Sequence, residues 1–202
     1  MKDLLSIVSH FQLQGTVQEI NPLGAGLIND TYKVSTLEAD APDYVLQRIN
    51  HAIFQNVEML QANINAVTTH IRKKLEEKGE KDIERKVLHF FPADTGKTYW
   101  HDGESYWRVM AFIPNARTYE TVNSEYSYYA GVAFGNFQAM LADIPDKLGE
   151  TIPDFHNMEF RLKQLRDAVA ADAAGRVKEV RYFLDEIERR AEEMCKAERL
   201  HR

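Results

Sequence analysis

The feature that most constrains this chain is a change of hydrophobic period after residue 55. Before it, the runs 15–23, 29–36 and 43–49 alternate apolar and polar residues, which is typical of short strands. After it, apolar residues recur at three- and four-residue steps, which predicts one helix that ends near Gly79. The sequence therefore predicts a strand meander followed by a helix that packs on it. The apolar stripe of this helix consists of Val57, Leu60, Ile64, Val67, Ile71 and Leu75.

Strand patterns return after the helix and then stop. The runs 86–91, 97–100 and 104–113 alternate again, separated by turn-forming triplets that contain Gly96 and Gly103. Pro114-Asn115 ends the last strand, and the sequence beyond it has helical periodicity. We therefore expect an α+β protein with a five-stranded antiparallel lobe in residues 1–113. Residues 114–202 are expected to form a linker and the first helices of a second, incomplete lobe.

Charge and cysteine content bear on partners and compartment. The chain has 25 Lys and Arg against 31 Asp and Glu, so its net charge of -6 gives no basic field for nucleic acid or an anionic membrane. Cys195 is the single cysteine and forms no disulfide within the chain. The N-terminal segment is too polar for a secretory signal. We expect a cytoplasmic protein that binds neither nucleic acid nor membrane.

Two glycines, Gly24 and Gly26, separate the first two predicted strands. A dinucleotide fingerprint needs its glycines between a strand and a helix, and Asn29 occupies the position of the third glycine. A glycine-rich hairpin that covers nucleotide phosphates, as in kinases, fits the strand context. An ordinary tight hairpin explains the same pair, because glycine supplies positive φ in any such turn.

Several other catalytic and metal-binding patterns fail on spacing. The segment TGKT at 95–98 is no Walker A loop, because Phe91 stands where that motif requires glycine and a strand pattern follows. The seven histidines include no HExxH pair, and no G-x-S-x-G elbow occurs. We therefore expect no metal centre built by this chain and no serine hydrolase chemistry.

Arg48 ends the third predicted strand, in the run Val45-Leu46-Gln47-Arg48. This run lies where kinases carry V-A-I-K, whose lysine pairs with nucleotide phosphates and with a glutamate on the next helix. Glu58 is the carboxylate available early in that helix, and Gln61 or Asn63 could replace it through hydrogen bonds. A solvated surface arginine is the alternative interpretation.

Five separate blocks of the chain carry a resemblance to a known family. In chain order they are PLGAGLINDTYKV, YVLQRINHAIFQN, NINAVTTHI, YWRVMAFIPNARTY and AGVAFGNFQAMLADIP, the last followed by a loop that contains PDFHN. Together they resemble the aminoglycoside phosphotransferase superfamily and most closely its N-acetylhexosamine 1-kinase branch, over nearly all of residues 10–190. The order of strands, helix, strands, linker and helices is also that of the protein-kinase-like fold.

The resemblance implies transfer of the γ-phosphoryl group of ATP, with Mg²⁺, to the anomeric hydroxyl of an N-acetylhexosamine. It implies three groups of site residues. Gly24, Gly26 and Asn29 would cover the phosphates, with Arg48 and its partner Glu58 beside them. Backbone groups of Met110 and Phe112 would contact adenine, and the substrate contacts would come from Asn29, Asp30 and His156.

The resemblance also exposes a departure. Phosphoryl transfer in this superfamily uses an Asp that orients the acceptor, within H-x-D-x-K-x-x-N, and a later Asp that holds magnesium. Neither motif occurs in these 202 residues, so no catalytic residue is assigned and we expect a chain truncated before its catalytic loop. An amino alcohol or aminoglycoside acceptor, or an inactive kinase-like binding module, stays open. The coding sequence past residue 202 would discriminate them, and the last helices could mediate homodimerisation.

Overall fold

The computed structural model describes residues 3–24, 26–119, 121–196 and 199. The contact pattern divides the chain into two compact units, Met1–Thr151 and Ile152–Arg202. The fold is α+β, as the periodicity predicts, and its elements follow the order expected for a kinase-like nucleotide lobe and the first helices after it. The elements are α1 (Leu4–Val8), β1 (Val17–Pro22), β2 (Asp30–Thr36), β3 (Tyr44–Ile49), α2 (Val57–Glu77), β4 (Phe90–Phe91), β5 (Trp100–His101), β6 (Tyr106–Ala111), α3 (Ser124–Leu141), α4 (Met158–Ala171) and α5 (Arg181–Met194).

The first unit contains one antiparallel sheet. Its strand order is β1-β2-β3-β6-β4, and β5 also pairs with β6. The sheet thus has six strands where five were expected, because β4 and β5 are two-residue strands that pair with separate parts of β6. The pairing of β3 with β6 places Gln47 opposite Arg108 and Val45 opposite Met110. This register fixes which side chains can meet on each face.

One face of the sheet forms the main hydrophobic core with α1. Ile7, Val8 and Phe11 pack there against side chains of β2, β3 and β6 and against Ala93 in the loop after β4. Removal of this apolar area from water is the dominant stabilising contribution to such a core. The strand residues in this cluster, which we call the α1 face, are Val34, Tyr44, Leu46, Trp107 and Val109.

The opposite face of the sheet carries α2. Asn56 caps this helix through its side chain, which accepts a hydrogen bond from the backbone N–H of Met59 at 2.9 Å. A second cluster, around Ile71, Leu75 and Val87, packs α2 against neighbouring segments that include the end of α3. Lys74 donates to the carbonyl of Met140 at 2.9 Å, so a cation meets the C-terminal end of α3. The first unit therefore holds α3 as well as the sheet.

The second unit is a small helical body. Arg166 on α4 forms two hydrogen bonds with Glu188 on α5, at 2.8 and 2.6 Å. Leu162 and Cys195 are its buried residues among those described, so the lone cysteine packs in the interior. Tyr182 and Phe183 on α5 are exposed. Dimerisation through the last helices stays a prediction.

The boundaries of the two units do not coincide with the expected lobe boundary between residues 113 and 114. That boundary lies inside the first unit, since α3 packs on α2. As a division between functional lobes it stays a prediction. Of the helices in the described part of the chain, none combines the length and the apolar character that a membrane span requires.

Candidate functional site

The two faces of β3 separate residues that the sequence places side by side. Side chains alternate along a strand, so Arg48 has the parity of Tyr44 and Leu46, which lie on the α1 face. Gln47 has the opposite parity, on the face that carries α2. The kinase lysine pairs with a glutamate on the helix that follows its strand. On β3, Gln47 and not Arg48 has the parity that points to the face of α2.

Arg108 on β6 lies next to Gln47 on the α2 face. Its Nε and Nη2 donate to Gln47 Oε1 at 2.9 and 2.6 Å, and its Nη1 donates to Gln61 Oε1 on α2 at 2.9 Å. Gln61 is 2% exposed and donates in turn to the carbonyl of Thr98 at 2.9 Å. Burial lowers the pKa of the Arg108 guanidinium to about 10, so the side chain stays charged at neutral pH.

A cavity of about 510 Å³ opens beside this network, within the range of small-molecule pockets. Strand residues Gln47, Arg108 and Met110 form one wall of it, and α2 and α3 contribute apolar side chains. None of the residues lining it in the described ranges is Asp or Glu, and its charged lining residues are Arg108 and Lys86. The cavity is therefore mostly apolar, and the neighbouring residues Gln47 and Arg108 form what we call its polar end. The remaining lining residues are Ile64, Val67, Thr68, Ile71, Val87, Leu88, Phe90, Phe137 and Met140.

Arg48 and Glu58, the pair expected to meet, each have another partner. Arg48 donates to Asp30 Oδ2 from Nε at 2.6 Å, and both side chains are about half exposed. Glu58 forms an ion pair with Lys97 at 2.9 Å. Arg48 thus lies on the α1 face, where α2 carries no group to meet it. In the structure Arg48 and Glu58 do not pair with each other. Asp30, a predicted substrate contact, forms its ion pair with Arg48.

The glycine pair forms the turn between β1 and β2. Gly24 has a φ of +72°, a conformation that favours glycine. A Cβ on Gly26 would lie 2.8 Å from the carbonyl oxygen of Asn29, so this position requires a residue without a side chain. Asn29 accepts a hydrogen bond from the backbone N–H of Asn50 at 2.9 Å. Each of these contacts stabilises the hairpin itself, and a role over phosphates stays a prediction.

Met110 lies near the end of β6 and Phe112 follows that strand directly. The resemblance implies that residues 108–114 form the hinge between the two lobes. Met110 lines the cavity. The backbone N–H of Phe112 donates to the carbonyl of Asp43 at 3.1 Å, so a ligand would have to use other backbone groups of this segment. The Lys33 ammonium lies over the Phe112 ring, 4.7 Å from the ring centroid, in a cation–π contact. The hinge assignment of both residues stays a prediction, with this restriction on Phe112.

His156 lies in the loop between α3 and α4. His156 is exposed in the second unit and contacts Phe155 edge-on, with ring centroids 4.7 Å apart, and its substrate role stays a prediction. Within the described residues, no three His, Cys, Asp or Glu side chains form a group that could hold a metal ion.

The fold is consistent with a kinase-like N-terminal lobe and the start of a helical lobe, and a comparison with known families agrees. A sequence profile described as the phosphotransferase enzyme family matches residues 19–202, nearly the whole chain. The chain belongs to this phosphotransferase family. Membership establishes a phosphotransferase of small molecules as the class.

The sequence suggested Gln61 only as an alternative to Glu58, and it gave the side chains of Gln47 and Arg108 no role. Alternation offers a signal for Arg108, because it shares the parity of Met110 in a strand whose neighbours are apolar. A charged residue at such an inward position requires hydrogen-bonding partners. The glutamines that provide them come from a different strand and from a helix, so the arrangement is visible only in the folded chain.

Proposed function

We propose that this protein is an ATP-dependent phosphotransferase that acts on an N-acetylhexosamine at its anomeric hydroxyl, in the cytoplasm. The family match supports the reaction class. The observation that carries the nucleotide part is the apolar cavity on the α2 face, which combines Met110 near the hinge with the cation of Arg108. A flat base suits the apolar wall, and phosphates suit the cationic end.

The acceptor follows from the blocks that resemble the N-acetylhexosamine 1-kinase branch. Asn29, Asp30 and His156 are the side chains to which we assign the sugar. Fold does not fix the substrate, so amino alcohols and aminoglycosides belong in the same assay. When bound, ATP supplies the γ-phosphoryl group and Mg²⁺ neutralises its charge.

The test combines a binding and a turnover measurement. Calorimetric titration of the 202-residue chain with ATP is expected to show binding. Adenosine is expected to compete with ATP for the same site. Turnover is measured with ATP, magnesium and N-acetylglucosamine, N-acetylgalactosamine, choline or kanamycin, with product detected by mass spectrometry. The protein expressed from the complete coding sequence is assayed in parallel.

We expect phosphorylated hexosamine from the complete coding sequence and background turnover from the 202-residue chain, whose sequence has no H-x-D-x-K-x-x-N motif. Product with choline or kanamycin alone would move the acceptor to another class. ATP binding without transfer by either protein would favour a kinase-like binding module. Comparable turnover by both would show that the acceptor-orienting group lies within these residues.

A further inference from the structure

Arg108 is a largely buried cation that forms no ion pair with a carboxylate among the residues the structure describes. Its described hydrogen bonds all go to amide oxygens, those of Gln47 and Gln61. Burial alone lowers its pKa, with no contribution from a neighbouring carboxylate. Amide oxygens orient a guanidinium but leave its positive charge in place. Such a charge costs free energy in the empty protein, and an anion that enters the cavity would offset that cost.

The surroundings of Arg108 favour an anionic ligand. The cavity lining in the described part of the chain contains no carboxylate, and its second cation is Lys86. Lys86 pairs with Glu80 at 2.6 Å, so its charge is already compensated. Arg108 is therefore the cation that a ligand in the cavity would meet. A guanidinium presents several N–H groups in one plane, a geometry that matches phosphate oxygens.

The position of Arg108 along β6 also fits a nucleotide. Met110 follows it by two residues on the same face, which corresponds to about 7 Å along a strand. A base placed on Met110 near the end of β6 would direct its phosphates towards Arg108. On β3, Val45 and Gln47 have the same spacing and pair with Met110 and Arg108.

We propose that Arg108 binds the phosphate groups of the nucleotide, and that Gln47 and Gln61 are positioning residues that hold its guanidinium at the polar end of the cavity. This inference rests on the proposed nucleotide function. The cation that kinases carry on their third strand is thus supplied by the neighbouring strand β6. Gln47 has the parity that points to the face of α2, and Gln61 links the cation to that helix.

The test measures the binding of ATP, adenosine and inorganic tripolyphosphate to the 202-residue chain by calorimetry. The variants are Arg108→Gln, Arg108→Lys and, as the matched control, Arg181→Gln, which removes an exposed arginine on α5. Arg108→Gln is expected to weaken the binding of ATP and of tripolyphosphate about tenfold or more, the loss of a charge-assisted contact. Adenosine affinity should stay unchanged. Arg108→Lys should retain part of the polyphosphate affinity, and Arg181→Gln all of it.

A double variant separates a phosphate contact from a structural role. Gln47→Lys combined with Arg108→Gln moves the cation to the paired position on β3, and it is expected to regain tripolyphosphate binding. Thermal unfolding of every variant identifies losses that come from unfolding. A parallel loss of adenosine and ATP affinity in Arg108→Gln, at unchanged folding, would overturn the proposal.

The remaining outcomes separate this inference from the proposed function. Arg108-dependent binding of tripolyphosphate without adenosine binding would support Arg108 as a phosphate-binding residue and refute the proposal that the ligand is a nucleotide. If Arg108→Gln leaves the binding of adenosine and ATP intact, this result would support a nucleotide ligand and refute the phosphate-binding role of Arg108. A chain that binds neither ATP nor tripolyphosphate would refute both.

Discussion

Asn63 on α2 binds both backbone groups of Gly149. Its Nδ2 donates to the Gly149 carbonyl at 2.7 Å, and its Oδ1 accepts from the Gly149 N–H at 2.9 Å. The side-chain amide therefore makes the same pair of hydrogen bonds that a neighbouring strand would make. These two bonds attach the loop after α3 to the first half of α2. A Cβ on Gly149 would lie 2.6 Å or less from two side-chain atoms of Met59, so the loop approaches the helix closely.

Loss of the Asn63 amide should loosen this loop. Asn63→Ala removes two hydrogen bonds and is expected to lower the free energy of unfolding by about 1 to 3 kcal/mol. Asn63→Asp keeps the acceptor but faces the Gly149 carbonyl with a second oxygen, so it should be no more stable than the alanine variant at neutral pH. Urea unfolding checks both values. Asp more stable than Ala would show that only the acceptor half of the bridge matters.

Gln61 should be more important for stability than an exposed glutamine. Gln61→Leu retains apolar volume but leaves the Thr98 carbonyl and the Arg108 Nη1 without the partners that they have now. We expect a loss of about 1 to 3 kcal/mol in the free energy of unfolding. Gln18→Leu, the same change at an exposed position on β1, is the control in the same urea titration. Equal effects of the two substitutions would contradict the network.

The two hairpin glycines should respond differently to substitution. Gly26→Ala introduces a Cβ 2.8 Å from a backbone oxygen and should destabilise the turn by shifting Asn29. At Gly24 an added Cβ would meet no atom within 4 Å other than those of its chain neighbours. Asn tolerates positive φ better than most residues, so the effect of Gly24→Asn on the melting temperature should be small. Both melting temperatures are compared with the affinity for ATP. A loss of ATP affinity in Gly26→Ala without a change in melting temperature would favour a phosphate-covering turn.

Asp43 should make stability depend on pH in the acid range. A hydrogen bond from the Lys33 ammonium, opposed by partial burial and assisted by the Thr36 backbone N–H, holds the pKa of this carboxyl below its ordinary value of 3.8. A carboxyl whose pKa is lower in the folded state stabilises the fold above the ordinary value. This contribution is lost as the pH falls through the lower, folded value.

Asp43→Asn should therefore be less stable than the original chain at pH 7, by no more than about 1 kcal/mol because the pair is partly solvated. The difference should shrink once the pH falls below about 4, where the carboxyl in the unfolded chain is protonated. Urea titrations at pH 7, 5 and 3.5 check this. Asp40→Asn, at an exposed position in the preceding turn, is the control. A difference that is constant across these pH values would contradict the assignment.

The sequence by itself determined the kinds of element and their order. The 3.6-residue period predicted α2, and the alternating runs predicted the strands that β1, β2, β3 and β6 form, because these patterns come from local geometry. The blocks of resemblance led to the phosphotransferase family, which the family comparison supports. The lobe boundary and the individual site residues remain predictions.

Only the tertiary structure decided which face of β3 meets α2. Both faces of the sheet are covered, so alternation divides Gln47 from Arg48 but does not say which of them faces the helix. The packing of α1 against Tyr44 and Leu46 settles that choice and places Arg48 away from α2. Arg108, Gln47 and Gln61 meet through strand pairing and helix docking over long sequence separations, which no local pattern encodes.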